Sequence, residues 1–143
     1  MHIILKDGTR LDHVGATGMI KYIQGANRDT ITFEFSEDYN IEYLRSVFTQ
    51  ANCEVINIVT DEQHTLENGE TETVYTNNYH EGYVIRAGVY EEIKELVPAT
   101  GTSPAITETR VFVTMAQRTY QETQIASLTE VVDILLLENL LTI

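Results

Sequence analysis

The sequence predicts an α+β fold: a mainly antiparallel β body with one short internal helix and a long C-terminal amphipathic helix. Three observations carry that expectation. The alternation in Thr30-Ile31-Thr32-Phe33-Glu34-Phe35, matched by Val111, Val113 and Met115, marks strands with one buried face. Ile41, Leu44, Val47 and Phe48 recur at helical spacing behind Asn40, a good N-cap. From Tyr120 onward apolar residues take over helical positions, with Ile125, Leu128, Val132, Leu135 and Leu136 on one stripe and Val131, Ile134, Leu137 and Leu141 on a second. The chain therefore divides into a mainly β domain, 1–118, with a short helix near 41–51, and a C-terminal oligomerisation or docking helix, 119–143.

Taken in order, His2 to Leu5 and Leu11 to Val14 flank Lys6-Asp7-Gly8-Thr9-Arg10, and Asp-Gly between short apolar runs signals a hairpin. Gly15 and Gly18 punctuate before a strand over Met19 to Gln24, and Gly25-Ala26-Asn27-Arg28-Asp29 reads as a turn into the Phe33 strand. The helix over Ile41 to Ala51 is expected to close with Asn52 in the left-handed conformation. Cys53 to Thr60 follows as a buried strand, so the first sixty residues read as a compact unit. Residues 61–80 are polar and acidic, with Asn68-Gly69 placed for a hairpin tip. Tyr83 to Val89 and the Val113 segment form a long hairpin. Its projecting tip holds both prolines of the chain, Pro98 and Pro104. Tyr90 to Val97 is taken as strand, although Tyr90, Ile93 and Val97 also fit a helix.

Composition narrows the function. Nine basic residues against twenty-two acidic ones give a net charge of −13. Phosphate backbones and acidic membranes repel such a chain, so neither nucleic acid nor membrane is an expected partner. The C-terminal segment is interrupted by Asp133, Glu138 and Asn139 and is too short to span a bilayer. The N-terminus lacks the basic start and apolar run of a secretion signal. A soluble protein made in a cytoplasm is the expectation. With one cysteine, Cys53, no internal disulfide forms.

No reaction centre emerges. His2, His13, His64 and His80 show no metal-ligand spacing, and Asp61-Glu62, Glu67, Glu70 and Glu72 do not follow the alternating calcium-loop pattern. Cys53 reads as a small core side chain. Gly15-Ala16-Thr17-Gly18 lacks the ending of a phosphate loop. Glu91, Glu92 and Glu95 read as edge protection. Tyr75, Tyr79, Tyr83 and Tyr90 are candidates for a recognition surface. No catalytic, metal or cofactor residue is assigned, and the chain is expected not to be an enzyme.

The C-terminal helix is the functional candidate. Ile125, Leu128, Val131, Val132, Leu135, Leu136, Asn139 and Leu140 form the predicted oligomer interface. Asn139 falls at an a position, where a polar residue sets register and copy number. Leu136, Leu140 and Ile143 widen the apolar surface, which suits three or more helices and favours a trimer. No Lys or Arg follows Arg118, while Glu130, Asp133 and Glu138 oppose the macrodipole by about 0.3–1 kcal/mol each. Alone, such a helix frays, so packing must hold it, either against another chain, the favoured reading, or folded back onto the protein's own sheet.

Two stretches, Gly25-Ala26-Asn27-Arg28-Asp29-Thr30-Ile31-Thr32-Phe33 and Val113-Thr114-Met115-Ala116-Gln117-Arg118-Thr119-Tyr120 running into Ser127-Leu128-Thr129-Glu130, join Leu5-Lys6-Asp7-Gly8-Thr9 in a family pattern. Together they resemble small proteins encoded in the tail and baseplate gene clusters of phages and prophages of Gram-positive bacteria, over nearly the whole chain. The resemblance implies a non-enzymatic virion or assembly component in several symmetric copies, placed in the tail region and in the host cytoplasm during assembly. Its partners would be itself, as a homo-oligomer, or neighbouring tail or baseplate proteins. It carries over no binding residues. The rival expectation is a small acidic inhibitor that mimics nucleic acid in a basic host-enzyme cleft, which accounts for the charge but not for the helix.

Overall fold

Ile31, Phe33 and Phe35 need a common apolar cover, and the computed structural model shows how two sheets supply it. It describes residues 1–141, with the side chains of 1–140. The elements are β1 (His2–Ile4), β2 (Arg10–Asp12), β3 (Gly15–Ile23), β4 (Ala26–Ser36), α1 (Ile41–Val47), β5 (Val55–Thr65), β6 (Thr71–Glu81), β7 (Ile85–Val97), β8 (Ile106–Ala116) and α2 (Tyr120–Leu141). One sheet runs β2-β1-β5-β6 and the other β3-β4-β8-β7, and all pairings given are antiparallel. The fold class is the expected one.

The core lies between the sheets. Ile31, Phe33 and Phe35 on β4 stand opposite Met115, Val113 and Val111 on β8. The first sheet contributes Ile3, Leu11 and Ile56, and α1 with its flank adds Leu44, Phe48 and Cys53. The Phe33, Phe35 and Phe48 rings form a closed triangle with centroids 5.9–6.4 Å apart. Both alternating triads read from the sequence are therefore core, and a shared face follows from the two-residue period.

Local chemistry explains the turns. At the first hairpin, Leu5 N–H donates to Thr9 C=O (2.9 Å), Gly8 sits at φ +91°, and the Asp7 carboxylate accepts from Thr9 N–H and Oγ1. Asn40 caps α1 by accepting from Tyr43 N–H (2.7 Å). Asn68-Gly69 turns the β5–β6 hairpin, with Gly69 at φ +83° and Leu66 N–H donating to Glu70 C=O (2.7 Å). Residues 61–80 are thus hairpin, and 90–97 are strand. Both hairpins run beyond the core as exposed arms.

Four expectations are corrected. The helix ends at Val47, not Ala51, because Phe48 turns into the core; Asn52 is not left-handed and instead donates its Nδ2 to Val47 C=O (2.9 Å). Gly15 and Gly18 lie inside β3, neither with positive φ. The turn before β4 is Gln24-Gly25 alone, at φ +48° and +80°, because Ile23 already pairs Ala26. The first sixty residues are not one unit, since β4 pairs with β8 and β5 with β6.

Phe33→Ala removes the side chain shared by the aromatic triangle and β8, and is expected to lower unfolding free energy by about 3–5 kcal/mol in urea melts.

Candidate functional site

The chain leaves β8 through a joint built from two backbone–backbone contacts and one side-chain contact to backbone. Gln117 N–H donates to Asp29 C=O (2.9 Å), Arg118 N–H to Gly82 C=O (3.3 Å), and Gln117 Nε2 to Glu81 C=O (3.1 Å). Gly82, at φ +80°, is the corner between β6 and β7, so the helix root is tied to both sheets.

α2 begins with a capping box. Thr119 Oγ1 accepts from Glu122 N–H (3.2 Å), while the Glu122 carboxylate accepts from Thr119 N–H (3.0 Å). The same carboxylate takes a forked contact from Arg28 on β4, whose Nη2 lies 3.0 Å from Glu122 Oε2 and whose Nη1 meets Oε1. Arg28 is only 4% exposed, and it also donates through Nε to Ile23 C=O (2.8 Å) and through Nη1 to Gln117 C=O (3.3 Å). The guanidinium beside Glu122, with the Thr119 donors, holds its carboxyl down to about 2.

Beyond this root α2 stands away from the body. It packs extensively against no strand and not against α1, and its large apolar side chains from Ile125 to Leu140 are each between 51 and 69% exposed. At 22 residues it reaches about 33 Å. All predicted interface residues but Leu140 fall within an arc of roughly 140° at 3.6 residues per turn. Leu140 borders it, while Ile134 and Leu137 occupy the other side. Leu141 and Ile143, expected to extend the surface, lie outside the described side chains.

The remaining candidates stay apart. His13 is buried, and burial pushes its pKa down, with its ring edge-on to Phe33 at 6.1 Å. His64 sits on the β5–β6 arm 3.2 Å from Glu62, and His80 faces a cleft between the sheets. Cys53 is fully buried, its thiol pushed up to about 12 by burial. Tyr75 and Tyr79 are exposed on β6, whereas Tyr90 stacks on Phe112 at 5.2 Å. Glu91, Glu92 and Glu95 lie on β7, an outer strand of its sheet. Among the described residues, no group of three or more His, Cys, Asp or Glu side chains is arranged to hold a metal ion, and no helix is long and apolar enough to cross a membrane.

Three residues of the joint were missed by pattern reading. Thr119-Tyr120-Gln121-Glu122 carries the capping-box spacing, a local signal that finds Thr119 and Glu122. Arg28 has no local signal, because its partner is 94 positions away. No protein-family model matches the chain, and neither a curated protein nor a solved structure matches it.

The depressed carboxyl gives the root a defined acid limit. Its contribution to stability is complete above pH 4.5, the ordinary glutamate value, and disappears as pH falls from there toward about 2. Urea melts over that range are expected to show a pH slope that Glu122→Gln reduces.

Proposed function

We propose that this protein is a structural or accessory component of a multi-subunit assembly that joins its copies, or docks to a neighbour, through α2. The supporting observation is the uncovered apolar length of that helix on a body whose own core is already closed. An exposed apolar surface of this extent marks an interaction site. The acidic residues near its end and the lack of basic residues in its last turn make isolated persistence unfavourable, so contact must supply the stability.

The arc from Val131 round to Leu136 is wider than a two-stranded seam, which favours a parallel trimer under closed rotational symmetry. The resemblance to tail and baseplate proteins of phages and prophages gives the assembly its identity in this reading: a tail tip or baseplate, reached from the host cytoplasm. The arms at residues 61–76 and 91–108 would project from the body toward neighbouring subunits.

Light scattering on the full chain tests this reading. The expected solution mass is a multiple of three 16.2 kDa chains. Leu128→Glu/Leu135→Glu removes the factor of three while keeping the β signal in circular dichroism. A wild-type mass unchanged by that double substitution refutes self-association through α2.

A further inference from the structure

The second sheet ends on an edge strand that its own fold leaves open. β3 is bonded to β4 alone and runs nine residues without a register shift. Ala16, Gly18, Ile20 and Tyr22 stand opposite Phe33, Ile31, Asp29 and Asn27, so they share the face that looks toward the other sheet. Yet Ile20 is 69% and Tyr22 73% exposed on that inner face. Beside them lies an open cleft of about 440 Å³ between the sheets, with Ile31, Ile58, His80 and Tyr83 among its walls.

Among the described residues, no close contact requires β3 to be small at Gly18. Gly18 has no positive φ, and a Cβ added there would meet only Thr30 C=O at 3.9 Å. A larger residue would fit and would favour the strand. The strand is instead divided, with Gly15, Ala16, Thr17 and Gly18 before Met19 and Ile20, Lys21, Tyr22 and Ile23 after it.

We infer that β3 pairs antiparallel with β3 of a second copy, centred on Met19, to form a two-fold sheet continuation. In that register Met19 meets its own copy at the two-fold axis, and on either side of it each large side chain meets a small one: Ile20 faces Gly18 of the other copy, Tyr22 faces Ala16, Lys21 faces Thr17 and Ile23 faces Gly15. The inward Ile20 and Tyr22 then cover the mouth of the cleft. Strand addition of this kind draws affinity from backbone hydrogen bonds and specificity from alternate side chains.

Charge points to the same occupant. The chain carries −13 and repels its own copies over most of its surface, but residues 13–28 contain no Asp or Glu. The two Lys21 residues would stand four positions apart along the ladder, about 13 Å, which exceeds the roughly 8 Å screening length at physiological salt. Edge strands are ordinarily protected by charge, proline or a bulge. β3 has one lysine, no proline and an unbroken register. This contact uses no residue of α2 and stands whether or not the helices associate.

Cysteine cross-linking in the full chain tests the register. Cys53 is buried and stays silent as a thiol reporter. Met19→Cys places two thiols opposite one another at the centre of the ladder, within disulfide reach. Thr17→Cys places its own copies about 13 Å apart. Under mild oxidation Met19→Cys is expected to form a covalent dimer at least tenfold faster than Thr17→Cys, and mixed Thr17→Cys and Lys21→Cys chains to link to each other. Adding Gly18→Val to Met19→Cys keeps the melting temperature and abolishes the cross-link. The same Met19→Cys cross-link is expected in the Leu128→Glu/Leu135→Glu background. Absence of a Met19→Cys cross-link, equal rates for Met19→Cys and Thr17→Cys, or persistence of the cross-link with Gly18→Val overturns the proposal.

Discussion

The body closes its core without the terminal helix, and the rest of the molecule follows from that. β4 is central: its inward residues meet β8 in the same sheet and the first sheet and α1 across the gap. Phe33, Phe35 and Phe48 fill the middle and leave the two sheets covering each other. The helix is not needed to close that core, and it packs extensively against no other element. It leaves the body with its apolar side chains still in water, a state that burial against another surface relieves by about 25 cal/mol per Å².

The joint at the helix root makes this more than a loose tail. Arg28 is anchored by backbone carbonyls of the β3–β4 turn region and grips Glu122, which also closes the capping box with Thr119. Two independent contacts on one carboxylate fix both where the helix starts and how it is rotated. The arc from Val131 to Leu136 is thereby presented in a set direction relative to the sheets. Near the far end the acidic side chains work against the dipole, and the last turn carries no basic residue.

Two apolar surfaces, the α2 arc and the β3 edge, lie on a chain whose charge otherwise keeps copies apart. They approach one another near Tyr120 and Ile20, which line a common groove at the helix root. A net charge this large favours solubility and discourages non-specific association, and the two proposed contacts fall where acid is absent or outweighed by apolar area. Residues 13–28 meet the first condition and α2 meets the second. Together, the two proposed contacts, of different symmetry, would extend an assembly beyond a single ring.

The alternating triads of β4 and β8, the Asn40 cap, the Asp7-Gly8 and Asn68-Gly69 turns and the helical stripe of α2 were legible in the sequence, because each depends on neighbours a few residues apart. The boundaries that failed were those set by distant partners. Phe48 ends α1 by turning into the core, and Gly18 sits within β3 because β4 pairs along its whole length. The sequence led to the expectation that α2 is too apolar to stand uncovered. Only the tertiary structure decided that its own body does not cover it, because core closure depends on strands that pair across 74 to 86 positions. It decided Arg28 in the same way, turning a residue that reads as part of a turn into a buried clamp on a helix 94 positions away.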